Sequence, residues 1–287
     1  MFEGFELASI ETGEAELRVR HGGSGLPLLL LHGHPQTHVM WHRVAPRLAQ
    51  NFTVVAADLR GYGESSKPPT TPNHEPYSKR AMARDAVALM AELGFERFAV
   101  AGHDRGARCA YRLALDHPGR VERLAVLDVV PTGETWRRAD RRFMLAWWHW
   151  AFLAQPEPLP ERLIGADPDA YYFRGSNDVF DPEALAEYRR AVRDPATIHA
   201  MCEDYRAGAT FDYELDEADR AAGRRIACPV LVLWALRGDL EAVFGDPLAI
   251  WREWAEDVRG RGLECGHYLA EEAPEETYAE LRAFFAG

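Results

Sequence analysis

The stretch Phe98-Ala99-Val100-Ala101-Gly102-His103-Asp104-Arg105-Gly106 joins an apolar run to a segment of helical character, and it decides the fold. The apolar run reads as a buried strand. Gly102 and Gly106 allow a sharp turn that lifts the side chain between them out of the sheet. The pattern predicts a strand–turn–helix unit that presents Asp104 as a nucleophile. A simple turn with a surface aspartate is the alternative interpretation of the same residues.

Asp104 stands where such turns usually carry a serine. A carboxylate there can attack a saturated or strained carbon and form an ester with the protein, which an activated water then cleaves. The expected chemistry is therefore opening of a carbon–halogen bond or of an epoxide.

Composition narrows the class of protein further. The 287 residues suit one large domain or a domain with an insertion, and 33 Lys+Arg against 45 Asp+Glu give a net charge of −12. This balance predicts no nucleic-acid partner and no anionic-membrane partner. The start of the chain lacks the features of a signal peptide and no apolar run is long enough to cross a membrane, so we expect a cytoplasmic protein. The four cysteines have no metal-site spacing, and no metal is expected.

Apolar runs alternate with amphipathic segments through the first third of the chain, which is typical of an α/β sheet. A run of about ninety residues rich in Trp, Tyr, Arg and Pro then interrupts the pattern. We predict an α/β-hydrolase fold, with a mostly parallel sheet in residues 1–131 and 224–287 and an inserted helical cap in residues 132–223. The predicted strands are 16–20, as an edge strand, and 27–31, 52–56, 98–101, 123–127 and 229–234; the predicted last helix is 276–285.

Chain order suggests the partners of the nucleophile, since this fold runs nucleophile, acid, histidine along the sequence. His267 lies ahead of the last predicted helix, where a general base is usually presented. Asp128 and Asp239 each follow a predicted strand, and either can orient the histidine. The residues alone leave these two candidates open.

Two further features concern the surroundings of Asp104. His34 follows the strand 27–31, where the fold usually offers a backbone N–H, and the N–H of Arg105 is the second candidate donor for an oxyanion. Arg105 and Arg108 follow Asp104 at one and four positions. A pair of guanidinium groups suits a carboxylate, so an anionic substrate is expected, whereas surface arginines are the alternative reading.

At this point the sequence resembles the fluoroacetate (haloacetate) dehalogenases over nearly its whole length. The resemblance is carried by residues 32–38, 58–63, 102–106, 149–156 and 201–209. It implies a small haloacid as substrate, no metal or organic cofactor, and a homodimer. It also implies a role for each matching residue: Asp104 as nucleophile, His267 as base, Asp128 as its acid partner, Arg105 and Arg108 as carboxylate holders, and His149 and Trp150 as halide donors.

Three positions depart from the pattern of that family. Thr210 stands where a third halide donor, a tyrosine, is expected, and Tyr213 is a candidate substitute. His34 stands where a phenylalanine is expected, and the segment 171–177 is shorter. A roomier and more polar pocket is the expected result.

The expected function is hydrolysis of short 2-haloacids, haloacetates first and fluoroacetate among them, to 2-hydroxy acids and halide. An epoxide hydrolase is the first alternative, because Tyr171, Tyr172, Tyr205 and Tyr213 could protonate an opening ring. A ligand-binding protein without activity is the second, because a fold alone does not determine function.

Overall fold

The structure is a computed structural model that describes residues 1–175 and 177–287. Its centre is an eight-stranded sheet in the order β1-β2-β4-β3-β5-β6-β7-β8. β1 and β2 pair antiparallel, as do β2 and β4, and the other neighbours are parallel. The strands are β1 (Glu6–Glu11), β2 (Glu16–Gly23), β3 (Leu26–Leu31), β4 (Phe52–Ala57), β5 (Phe98–His103), β6 (Val121–Leu127), β7 (Val230–Ala235) and β8 (Val258–Leu263).

The inner strands are apolar because helices cover both faces of the parallel part of the sheet. Every residue of β5 and of β7 is buried. The helices before the cap region and the first one after β6 are α1 (Ala45–Leu48), α2 (Lys79–Glu92), α3 (Arg105–Asp116) and α4 (Thr132–Arg137). Short 3₁₀ helices lie at His38–Trp41 and Glu75–Tyr77.

Between β6 and β7 the described residues form helices and no strand. After α4 these are α5 (Arg141–Ala146), α6 (His149–Leu153), α7 (Leu159–Ala166), α8 (Pro168–Tyr172), α9 (Pro182–Ala191), α10 (Pro195–Ala209) and α11 (Phe211–Ala221). The rest of the chain adds α12 (Leu240–Phe244), α13 (Pro247–Trp254), α14 (Leu269–Glu272) and α15 (Pro274–Ala286). We use "cap" for the helices α4 to α11.

All six predicted strands are present, but the sequence pattern missed β1 and β8. The prediction of 16–20 as an edge strand is wrong, because β1 pairs with β2 along its outer side. β1 shows no buried residue, and β8 reads Val-Arg-Gly-Arg-Gly-Leu, with a single buried residue. Neither strand carries the apolar alternation that identifies strands in a sequence.

The carboxyl ends of β3, β5, β6, β7 and β8 lie along one edge of the sheet, where ligands bind in folds of this type. The loops at this edge contain His34, Asp104, Asp128 and His267. Cap helices α6, α8 and α10 contribute the opposite wall of the cavity described below. Within the described residues, no helix is both long and apolar enough to cross a bilayer.

Candidate active site

Asp104 occupies a tight turn that requires glycine at neighbouring positions, because a side chain there would clash. Its φ of 45° and ψ of −115° lie in a region that non-glycine residues rarely adopt. A Cβ on Gly106 would lie 2.3 Å from the backbone oxygen of His32, and one on Gly33 would lie 2.5 Å from the Cβ of Asp104. The strain at Asp104 is therefore held by tight packing between the ends of β3 and β5 and the start of α3.

One oxygen of the Asp104 carboxylate is held by the backbone. The N–H of His34 donates to Oδ2 over 2.9 Å, which places His34 where the sequence predicts a donor. Arg105, whose N–H is the second predicted donor, is the first residue of α3. N–H groups at a helix start have no acceptor within the helix and are available to a ligand.

His267 and Asp128 come together, although 139 positions separate them in the sequence. The Nδ1 of His267 lies 2.6 Å from Oδ2 of Asp128, and the N–H of Ala235 donates to Oδ1 of Asp128 over 2.9 Å. Asp239, the other candidate acid, is exposed at the cavity edge. Its carboxylate forms no hydrogen bond or ion pair within the described part of the chain. The geometry thus pairs His267 with Asp128 and not with Asp239.

The charges in this cluster favour an ionised Asp104 carboxylate and make the His267 imidazole more basic. Burial alone would raise the pKa of Asp104, but the positive charges of His267, Arg105 and Arg108 help to hold it well below its usual range. Burial alone would lower the pKa of His267, and the hydrogen bond and charge of Asp128 raise it above its ordinary value. Asp104 is therefore a carboxylate at neutral pH.

Arg105 is fully buried and forms a bidentate ion pair with Asp204 of α10. Its Nε lies 3.0 Å and its Nη2 2.5 Å from the two carboxylate oxygens. Asp204 also binds the Lys79 ammonium and accepts a hydrogen bond from Tyr62 over 2.7 Å. The remaining nitrogen of Arg105, Nη1, is buried without a partner among the described residues. This ion pair has no local sequence signal, since 99 positions separate the two residues.

Arg108 is a buried cation whose hydrogen-bond partners among the described residues are all uncharged. Its Nη1 donates to the backbone oxygen of Val130 over 3.0 Å and to the hydroxyls of Thr132 and Thr135 over 3.3 Å each. Its Nε has no acceptor among the described residues. Burial, reinforced by the neighbouring charge of Arg105, lowers the pKa of Arg108 to about 10. Arg108 therefore stays charged at neutral pH.

Arg105 and Arg108 were expected to hold the substrate carboxylate directly. Neither guanidinium group forms part of the cavity wall. Both lie against cap aromatic rings. The Cζ of Arg108 is 4.4 Å from the centre of the Trp150 ring, and the Cζ of Arg105 is 4.2 Å from that of Tyr205. Both cations thus lie against rings of the cavity wall, and their positive charges act on Asp104.

The cavity above Asp104 has a volume of about 420 Å³ and a wall rich in aromatic and polar side chains. His149 and Trp150 from α6 line it, as the family resemblance implies. Burial lowers the pKa of His149 to about 3, so its imidazole is neutral. The ring of Tyr205 lies 5.9 Å from that of His149 and 5.8 Å from that of Trp150, which gathers three polar aromatic groups at one wall.

Tyr205 lines the cavity, although the sequence led us to expect the third halide donor at position 210. Thr210, expected at the position of the third donor, lies outside this cavity, and its hydroxyl donates to the backbone oxygen of Arg206 over 2.8 Å. Tyr213 is also absent from the cavity wall. Tyr205 lies five positions earlier, within α10, and only the orientation of that helix shows which tyrosine lines the cavity.

The segment 171–177 borders the mouth of the cavity. Tyr171, Tyr172, Arg174, Gly175 and Asn177 are in its wall, and Ser176 is outside the described residues. Tyr172 donates a hydrogen bond to the sulfur of Met201 over 3.4 Å. A tyrosine-rich rim therefore separates the site from solvent.

The fold and the aspartate turn define the class of protein, and a family model described as the alpha/beta hydrolase fold matches residues 27–240. A fluoroacetate dehalogenase from Burkholderia sp is 49% identical, over 100% of this chain and 95% of that protein. A soluble epoxide hydrolase from Corynebacterium sp. (strain C12) is 35% identical, over 92% of this chain and 91% of that protein. The crystal structure of a protein from Nostoc sp PCC 7120, assigned to the α/β-hydrolases, is 55% identical, with a TM-score of 0.97 and 99% of each chain covered.

The chain is thus an α/β-hydrolase. Within that class it belongs to the haloacetate dehalogenase family.

Proposed function

We propose that this protein hydrolyses short 2-haloacids, with haloacetates as its first substrates, through an ester of Asp104. The observation that carries the proposal is the juxtaposition of an ionised Asp104 with the His267–Asp128 pair under a wall of neutral donors. The positive charges of the buried Arg105 and Arg108 act on Asp104 and favour an anionic substrate over a neutral one.

In the first step an Asp104 oxygen attacks the α-carbon of the haloacid. Because Oδ2 is held by the His34 N–H, we assign the attack to Oδ1. A carbon–oxygen bond forms as the carbon–halogen bond breaks, and the halide leaves with the bonding electron pair. His149, Trp150 and Tyr205 are the donors that stabilise the departing ion.

In the second step water attacks the ester carbonyl carbon, which is Cγ of Asp104. His267 accepts one proton of that water, and Asp128 holds its imidazole in the tautomer with Nε2 free. Negative charge develops on Oδ2, next to the N–H of His34. Collapse breaks the bond between Cγ and Oδ1, the alkoxide takes the proton from His267, and the second water proton goes to solvent.

The direct test is halide release from fluoroacetate, chloroacetate and bromoacetate, measured by ion chromatography, with Asp104→Asn as control. We expect release by the wild type and none above background by the variant. A single turnover in water labelled with oxygen-18 should leave the label in Asp104 and not in the hydroxy acid, because the product oxygen comes from Oδ1. Label in the product of that first turnover would refute the ester.

A second candidate, epoxide hydrolysis, is supported by Tyr172 and Tyr205, two cap tyrosines in the cavity wall. Hydroxyls in such a place can donate a proton to an opening epoxide ring. Two buried cations near Asp104 are unnecessary for a neutral epoxide, so this candidate ranks second. Diol formation from styrene oxide with no halide release from any haloacetate would reverse the order.

The homodimer, which rests on the family resemblance, and the cytoplasmic location, which rests on the sequence pattern, also remain proposals.

A further inference from the structure

The side chain of His34 is a polar group at the substrate cavity that none of the steps above uses. Its backbone N–H binds Asp104, and its imidazole lines the cavity. The ring lies 5.3 Å from the ring of Tyr172 and 5.2 Å from that of Tyr205, edge to face in both cases. The Nδ1 atom of His34 is buried and has no hydrogen-bond partner among the described residues.

This imidazole is neutral and can both donate and accept a hydrogen bond. Burial lowers the pKa of His34 to about 4. A neutral histidine has one donor and one acceptor nitrogen. The other ring nitrogen, Nε2, is not among the buried atoms and has no partner among the described residues, so it is the atom that a ligand in the cavity can reach.

The cavity has room for a ligand larger than a haloacetate. Its volume of about 420 Å³ lies within the range of sites for small organic molecules. A two-carbon acid fills only part of that space. The reacting carbon must contact Asp104, so the remaining volume is available to a substituent on that carbon.

We propose that the His34 imidazole selects 2-haloacids that carry a hydrogen-bonding group, such as a hydroxyl, on the carbon next to the reacting one. The inference rests on the proposed function and names its substrate class more closely. The His34 N–H is bonded to the Asp104 carboxylate, which in the proposed reaction bonds to C2, and the His34 ring lines the same cavity. A substituent on C3 is therefore the part of the substrate that we expect the ring to contact. A neutral imidazole favours a neutral hydroxyl over a second carboxylate.

Two substrates of nearly equal size test the inference. 2-Chloro-3-hydroxypropanoate and 2-chlorobutanoate differ only by a hydroxyl in place of a methyl group. For each enantiomer, kcat/KM for chloride release should be measured with the wild type. We expect a preference for the hydroxyl compound on the order of tenfold for one enantiomer series, because a hydroxyl on C3 can pair with Nε2 of His34 and a methyl group cannot.

Variants at His34 assign that preference to the side chain. The ratio compared is kcat/KM for 2-chloro-3-hydroxypropanoate divided by kcat/KM for 2-chlorobutanoate. His34→Phe should bring this ratio near or below one. His34→Asn, which keeps a donor and an acceptor, should retain part of the preference. His42→Phe is the matched control: His42 also has a buried ring nitrogen without a partner among the described residues, but it lies outside the cavity wall. Its ratio should equal that of the wild type.

A wild-type ratio near one, or a ratio that His34→Phe leaves unchanged, would overturn the inference. Because the wild-type ratio needs no variant, failure of His34→Phe to fold would not prevent the test. Chloroacetate is assayed in parallel. If chloroacetate is turned over and the wild-type ratio is near one, only the proposed role of His34 is refuted. If chloroacetate releases no halide, the proposed function itself is refuted.

Discussion

Replacing Asp128 by asparagine should stop the second step of the proposed reaction and leave the first one. The Ala235 N–H donates to Oδ1 of Asp128, so the asparagine oxygen should stay at that position and its amide nitrogen should face His267. The amide donates a hydrogen bond to Nδ1 of His267, which leaves the ring proton on Nε2. A histidine in that tautomer cannot accept a proton from the attacking water.

The size of the effect follows from the contact that is lost. The Nδ1 of His267 and Oδ2 of Asp128 are 2.6 Å apart, and the carboxylate is buried. The same change in a serine-protease triad lowers kcat about 10⁴-fold, which corresponds to a barrier increase of ~5 kcal/mol. We expect a steady-state loss of about 10³- to 10⁴-fold for Asp128→Asn.

Because halide leaves before His267 acts as a base, Asp128→Asn should still release about one halide per active site in a burst. Rapid quenching followed by mass spectrometry of the intact protein should show the added mass of the ester. Asp239→Asn is the matched control and should change kcat by less than about tenfold. A steady-state rate of Asp128→Asn within tenfold of the wild type, or a loss of activity without a burst, would refute this reasoning.

Tyr205→Phe should lower kcat for fluoroacetate by about 10- to 100-fold and for bromoacetate by less, because fluoride depends most on donors, whereas Thr210→Val should change neither rate more than about twofold. Equal effects of the two variants on halide release would contradict the placement of Tyr205. Glu271 is buried and accepts a hydrogen bond from Gln36 over 2.9 Å, and burial raises its pKa to about 7. A carboxyl group whose pKa is raised on folding stabilises the fold at pH values below its ordinary pKa of 4.5. As the pH rises towards 7, the free energy of unfolding should fall by about 3 kcal/mol. Urea unfolding of Glu271→Gln should lack this loss between pH 4.5 and 8, and a pH dependence equal to that of the wild type would exclude Glu271 as its source.

Local patterns were enough to predict the inner strands and the loops that carry the reacting groups. The strand and turn around Asp104 are encoded within nine consecutive residues, and chain order pointed to His267. The resemblance to a known family then favoured Asp128 over Asp239, and the geometry pairs Asp128 with His267. Such features can be predicted because apolar periodicity and turn-forming glycines act over short stretches of chain.

The charge balance behind the site could not be predicted in the same way. Arg105 was expected to hold a substrate carboxylate. Two of its nitrogens instead bind Asp204, which lies 99 positions further along the chain. Nothing near either residue in the sequence indicates that pair. Which charges meet in a buried interior depends on how the cap helices pack against the sheet.

The sequence by itself determined the fold class, the turn that presents Asp104, and the residue types available for chemistry, since these depend on neighbours in the chain. Only the tertiary structure decided that Tyr205 rather than Thr210 faces the cavity, and that the His34 ring nitrogen lies buried beside it without a partner among the described residues. The reason is physical: the direction in which a helix turns each side chain is set by the surface it packs against, and that surface comes from distant parts of the chain.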